Sequence, residues 1–300
     1  MTIRAPKYYK DFKCIADRCT HSCCIGWEID IDSDTLERYT SLSDGYGKAI
    51  AESIDFEDTP HFRLCADERC PHLDERGLCK IIINLCEDYL CNICSEHPRF
   101  YNDTSRGKEV GLGMACEEAA RLILSSDDYR EMIDADEGDF TWDAPDFDGA
   151  SERENVYSIL ADRSVPYTNR LTSLYTEYDV TPAVLTDNQW KEVLESLEYL
   201  DEEHKTLFSL YSSHIASPDG CDKKLERALA YFVYRHCSAA VDEEDFRASL
   251  GFALFCERLL SSLISFGDKE NAIKYAEIIS EELEYSEDNT ERIKEEFMFA

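Results

Sequence analysis

Helical periodicity dominates the C-terminal half of the sequence. After residue 150, apolar side chains recur every three or four positions, which is the spacing of one face of a helix. Glycine and proline, which interrupt helices, number only 12 and 8 in 300 residues. The pattern predicts a helical bundle or irregular helical domain over 151–300. The clearest faces are Trp190, Val193, Leu194, Leu197 and Leu200; Leu225, Ala228, Leu229, Phe232 and Val233; Phe252, Phe255, Leu259, Leu263 and Ile264; and Ile273, Ala276, Ile279 and Leu283.

In the N-terminal third, the spacing of apolar residues changes every few positions. This indicates short helices and strands in place of long helices. Apolar and polar residues alternate over 27–31, the pattern of a short strand. Asp32 or Ser33 can then cap a helix that runs to about Ser53, because the side-chain oxygen accepts an N–H of the first turn. The segment 61–83 predicts a small β-hairpin that turns at Gly77, since glycine tolerates the positive φ of such loops.

Three further segments complete the predicted organisation. A helix from Asn84 to about Glu96 ends at the residue before Pro98. A polar loop follows, and another helix begins at Glu117, where acidic residues suit the positive end of the helix dipole. The fold class is therefore mainly α: a cysteine-rich N-terminal region over 1–125, an acidic linker over 126–150, and the helical domain over 151–300.

The strongly negative charge of the chain limits the kinds of molecule that it can bind. The formal net charge is −33, and most of it lies after residue 125. Such a chain repels nucleic-acid phosphates and anionic lipids, whereas it attracts a cationic partner such as a lysine-bearing protein surface. Acidic helix faces can equally serve solubility alone. The N-terminus does not resemble a signal peptide and no run of 18 apolar residues occurs, so we expect a cytoplasmic protein with reduced thiols.

Cysteines crowd into one part of the chain. Eleven of the 14 lie between Cys14 and Cys116. Disulfides and unrelated buried thiols are alternatives, but a reducing compartment disfavours the first and the crowding disfavours the second. Metal ligation by thiolates is favoured. The last three, Cys221, Cys237 and Cys256, lie among apolar residues and are expected to pack in the core.

The spacing favours an iron–sulfur cluster over zinc without excluding zinc. Only Cys91 and Cys94 form a C-x2-C pair, and no second pair completes a zinc ribbon. The C-x3-C-x2-C motif of radical enzymes fails, since Gly26 stands where its third cysteine is needed. His21 and His97 could add ligands or support them, although structural histidines are common. The same applies to His72.

The cysteines fall into motifs that resemble a known family. These are Cys14-x4-Cys19-x3-Cys23-Cys24-x2-Trp27-x-Ile29-x-Ile31-Asp32, Cys70-Pro-His-Leu-Asp-x2-Gly77-Leu-Cys79-Lys-Ile, Cys94-x3-Pro98-Arg99 and Cys116-Glu-Glu-Ala-Ala-Arg121-Leu. Together they resemble the flagellin lysine-N-methylase family (FliB-like proteins). The shorter cysteine core also resembles a broader group of zinc- or iron-chelating proteins.

The resemblance implies an enzyme with two cofactors. Its reaction would be methyl transfer from S-adenosylmethionine to lysine side chains of flagellin, with a 4Fe–4S cluster involved. Catalytic residues and the S-adenosylmethionine pocket cannot be assigned, because no glycine-rich nucleotide loop is evident. The alternative function is a non-enzymatic zinc- or iron–sulfur-binding adaptor or sensor. Carried over by position, the implied metal ligands are Cys14, Cys19, Cys23, Cys24, Cys70, Cys79, Cys94 and Cys116.

Overall fold

A computed structural model describes residues 2–43, 45–137, 141–181, 185–213 and 218–298. It is 54% helix and 11% strand, so the mainly α prediction is confirmed. The chain forms two compact units. We call Lys13–Pro98 the cysteine unit, and Met1–Phe12 together with Arg99–Ala300 the helical unit. These limits differ from the sequence boundaries at 125 and 150.

The cysteine unit consists of short elements around its own small core. Asp32 caps the first helix through the N–H of Thr35, as the sequence predicted. The alternation over 27–31 does bury Ile29 and Ile31, but the backbone pairs there only through a single bridge from Asp30 to His61. The elements are α1 Ser33–Ser41, α2 Gly45–Glu52, β2 Ile54–Asp55, β3 His61–Phe62, α3 Lys80–Asn84 and α4 Asn92–Glu96.

The predicted hairpin is correct at its turn and wrong beyond it. Gly77 has a φ of 77°, and Leu73 bridges Cys79 across the turn. The following isoleucines form helix α3 instead of a strand, because a helix buries Ile81 while its two successors face outward. Packing of one side chain thus overrides the strand preference of three β-branched residues. The helix predicted over 84–96 is also interrupted, since only its last part forms α4.

A four-stranded sheet in the helical unit was not predicted. It comprises β1 Thr2–Pro6, β4 Arg99–Thr104, β5 Gly107–Leu112 and β6 Met132–Glu137, in the order β4-β5-β1-β6. β1 runs parallel to β5 and antiparallel to β6. The expected polar loop is therefore the β4–β5 hairpin, and the expected linker contains β6. Part of that linker, residues 138–140, lies outside the described residues.

The remaining helices confirm the periodicity of the sequence. Their apolar faces form one large core. It buries the predicted faces of α8 Asp187–Ser196, α10 Asp222–Cys237 and α11 Glu243–Phe266. Leu200, which follows the end of α8, is the exception, since half of it is exposed. α11 is long and apolar enough to cross a membrane, but 83% of its apolar window is buried within the protein. The helices are α5 Glu117–Ser125, α6 Gly149–Leu160, α7 Tyr167–Glu177, α8 Asp187–Ser196, α9 Glu202–Phe208, α10 Asp222–Cys237, α11 Glu243–Phe266, α12 Ala272–Ile279 and α13 Glu287–Met298.

Candidate metal centre

Five cysteines share the core of the cysteine unit. Cys70 and Cys91 are buried in it, with 7% and 1% of their surface exposed. Three half-buried cysteines pack against the same core: Cys24, Cys79 and Cys94. Four separate stretches of sequence therefore contribute thiols to a single apolar core. Spacing along the sequence could not predict that these stretches meet.

Backbone hydrogen bonds bring the first three of these cysteines together. The Cys70 N–H donates to the Cys24 carbonyl at 2.8 Å. From Cys70 the chain turns through Gly77, and the bridge between Leu73 and Cys79 returns it to the same place. The Lys80 N–H closes the turn by donating to the His72 carbonyl at 2.7 Å. Cys79 then occupies the N-cap position of α3.

The C-x2-C pair lies one helical turn apart. Cys91 is the N-cap residue of α4, and Cys94 lies in its first turn. Their Sγ atoms are 3.4 Å apart and share a hydrogen bond. The shared proton lowers the pKa of Cys91 and raises that of Cys94. The two sulfurs thus behave as one acid–base pair.

The thiols of this core act on each other electrostatically. A hydrogen bond from Cys23 lowers the pKa of Cys24 to about 7. Burial, together with the charges of Cys24, Cys79 and Cys91, raises the pKa of Cys70 to about 12. Several thiolates cannot coexist here without a cation, since each charge is both desolvated and repelled by the others. A bound metal centre would supply the missing positive charge.

His72, which lies between Cys70 and Cys79 in the sequence, has a structural role. His72 is buried, with Nδ1 2.6 Å from the Tyr46 hydroxyl and Nε2 2.8 Å from the Ser53 hydroxyl. Burial lowers its pKa to about 4, so the ring is neutral at pH 7. Because both ring nitrogens already have partners, His72 supports the core and does not offer a metal ligand.

The other four cysteines implied by the family resemblance are not among the residues that pack in this core. Cys14 is exposed and accepts a hydrogen bond from the Ala16 N–H. Cys19 donates to the His21 carbonyl, and Cys23 is exposed beside Cys24. Cys116 belongs to the helical unit, where it is the N-cap residue of α5. Their role as ligands remains a prediction.

Cys91 lies in the thiol core although the family resemblance does not imply it as a ligand. With Cys94, it forms the single C-x2-C pair of the N-terminal third. That spacing on a helix puts two side chains on one face, and this signal could have identified it. By contrast, the prediction of core packing for the last three cysteines is confirmed: Cys221, Cys237 and Cys256 are all buried in the helical unit.

The thiols of this core are compatible with a metal centre of either kind. An iron–sulfur cluster takes four thiolates, and five cysteines share this apolar core. A tetrahedral zinc site holds sulfurs about 3.8 Å apart, from Zn–S bonds of about 2.3 Å, and the Sγ atoms of Cys91 and Cys94 are 3.4 Å apart. Within the described ranges, no three His, Cys, Asp or Glu residues are arranged to hold a single ion.

These features define a mainly helical, cysteine-rich protein whose thiols gather in a buried core. No family model and no solved structure matches the chain. It is 28% identical over 135 residues to the flagellar biosynthetic protein FliU of Salmonella muenchen, covering 43% of this chain and 80% of that protein. It is equally similar to the lysine-N-methylases of Salmonella choleraesuis and Salmonella typhimurium, of which the match spans only 34%. Over this part, the expected similarity to lysine-N-methylases is therefore found, at 28% identity.

Proposed function

We propose that this protein is an iron–sulfur-dependent protein-lysine N-methyltransferase that uses S-adenosylmethionine and acts on flagellin. The observation that carries the proposal is the gathering of five thiols in one core of a chain related to lysine-N-methylases. The flagellar name of another relative supports flagellin as the substrate. The function requires a reducing compartment, such as the cytoplasm, in which the thiols stay free to bind iron.

Four of the five core cysteines would hold a 4Fe–4S cluster, because such a cluster takes four thiolates. Cys70 and Cys91 are the most buried and would be two of the four. When bound, the cluster supplies iron that can coordinate the methyl donor or organise the site around it. The apolar side chains of the core exclude water from the thiolates, which protects them from oxidation.

The charge of the chain suits a lysine-bearing substrate. With a net charge of −33, its surface attracts a cationic protein and speeds their encounter. Methyl transfer then requires the lysine amine in its neutral form and in line with the methyl group. Desolvation on binding lowers the pKa of a lysine, which favours this form.

A cluster-binding adaptor or sensor is the second candidate. It is favoured by the extent of the similarity, which covers 80% of FliU but only 34% of the lysine-N-methylases. In that case the chain would share the thiol core with the enzymes and lack their activity. The acidic surface would then hold a cationic partner without modifying it.

Two measurements on anaerobically purified protein test the proposal. Iron, sulfide and zinc are quantified first, together with the visible absorption. The protein is then incubated with flagellin and S-adenosylmethionine carrying an isotope-labelled methyl group, and lysine methylation is read by mass spectrometry. Bound iron and sulfide with methylated lysine support the proposal. A cluster without methylation favours the adaptor, and stoichiometric zinc without iron refutes the iron–sulfur assignment.

A further inference from the structure

One carboxylate joins two helices in the cysteine unit. Asp32 Oδ1 accepts the Thr35 N–H of α1 at 3.0 Å, which is an ordinary N-cap. Its other oxygen, Oδ2, accepts the Asn92 N–H at 2.8 Å. Asn92 is the first residue of α4 and directly follows Cys91. A side chain from one helix thus satisfies an N–H at the start of another, 60 residues away in sequence.

Two more side chains of α1 hold the same segment. Arg38 Nη1 donates to the Asp88 carbonyl, and the hydroxyl of the buried Tyr39 donates to the Tyr89 carbonyl, both at 2.5 Å. With the bond from Asp32, α1 holds the segment 88–92 at three points. Helix α4 has only five residues, so its own hydrogen bonds contribute little to its position.

Asp32 also brings a negative charge next to the thiol core. Its Oδ2 lies 2.8 Å from the backbone nitrogen of Asn92, the residue that directly follows Cys91. Aspartate is ordinarily ionised at pH 7. A negative charge therefore lies beside one of the two most buried thiols of the core.

We propose that Asp32 is a positioning residue of the thiol core, where it holds Cys91 in place and sets the electrostatic environment of the bound cluster. The proposal rests on the iron–sulfur function proposed above and gives a role to the last residue of the first cysteine motif. Reduction of a cluster adds negative charge, which a neighbouring carboxylate opposes. Asp32 therefore keeps the reduction potential lower than the thiolates alone would.

Replacement of Asp32 by asparagine tests the positioning of Cys91 and the effect of the carboxylate charge without unfolding the protein. Asparagine caps helices as well as aspartate, so α1 keeps its cap. It has one acceptor oxygen and no charge, so when that oxygen caps α1 through Thr35, the bond from the Asn92 N–H is lost. In Asp32→Asn, we expect a higher midpoint potential and about tenfold faster loss of iron to a chelator, at the lower end of the effects of supporting groups at metal sites.

Asp201→Asn is the matched control. Asp201 caps α9 by accepting the Glu203 N–H at 2.8 Å, and it belongs to the helical unit, not to the cysteine unit. The control should change neither the potential nor the rate of iron loss. Asp32→Glu keeps the negative charge on a longer side chain, so its midpoint potential should lie close to that of the wild type. An Asp32→Asn protein that matches Asp201→Asn in both readouts would show that Asp32 is only a helix cap and would overturn the proposal.

A readout on the metal-free reduced chain keeps this test independent of the proposed function. Cys91 is 1% exposed, so it should react slowly with iodoacetamide in the wild type and several-fold faster in Asp32→Asn, as mapped by mass spectrometry. Equal rates in the two proteins would refute the positioning role. Absence of iron from the wild type would instead refute the iron–sulfur function, while the alkylation rates would still decide the role of Asp32.

Discussion

Replacement of Cys70 by alanine distinguishes a metal ligand from a packed side chain. Cys70 is 7% exposed and packs in the core of the cysteine unit, where its N–H donates to the carbonyl of Cys24. In the metal-free chain, the change removes one sulfur atom from an apolar core. By analogy with one buried methylene group, the free energy of unfolding should fall by about 1 kcal/mol. A larger loss would require more than packing.

The iron-loaded chain should respond differently. A 4Fe–4S cluster that loses one of its four thiolates is held by three, and the bound iron should fall from about four atoms per chain to a small fraction of that. The stability contributed by binding disappears with it. A group present at a thousandfold excess over its Kd stabilises the folded state by about 4 kcal/mol. The loss in the loaded chain should therefore exceed that in the metal-free chain several-fold.

The assay compares three variants with the wild type. Iron and sulfide content, visible absorption and urea unfolding are measured under anaerobic conditions, with and without a chelator. Cys237→Ala is the control for packing, since Cys237 is 0% exposed within α10. Cys65→Ala is the control for an exposed thiol of the same unit. Both should keep their iron. If Cys70→Ala keeps as much iron as Cys237→Ala, Cys70 is not a ligand and the reasoning from burial is wrong.

Three further predictions concern the fold. Glu109→Gln leaves Arg153 charged and buried, since the pair is 2.5 Å apart with side chains 6% and 4% exposed; urea unfolding should show a loss of about 3–5 kcal/mol, and a neutral effect would contradict this. Burial lowers the pKa of His204, but the hydrogen bond and charge of Glu282 outweigh it and raise the pKa. The ion pair therefore stabilises the folded state fully below pH 6.5, the pKa of an unfolded histidine, and this stabilisation is lost as the pH rises through the raised pKa. His204→Gln should make the free energy of unfolding less dependent on pH in this range. An unchanged pH dependence would argue against the ion pair. Gly77→Ala should cost about 1–2 kcal/mol at a φ of 77°, and unaltered unfolding of the cysteine unit would show that the turn relaxes.

The helices of the helical unit could be predicted from the local pattern of apolar residues. Positions such as Leu229 and Phe232 in α10 recur on one face, and the structure buries both. The N-cap at Asp32 was equally evident, because capping depends on residues only three positions apart. In each case the physical cause acts within a turn or two of chain, so the sequence carries it directly.

Contacts between distant segments were decided by the tertiary structure alone. β6 pairs with β1 across more than 120 residues, so neither strand has a local signal for the other. The same holds for the thiol core, which includes Cys91 and leaves Cys14 exposed. Asp32 gained its second partner, the N–H of Asn92, in the same way. Residue order and spacing determine which side chains share a helix face. Which faces meet depends on how the whole chain closes its loops and buries its apolar surface.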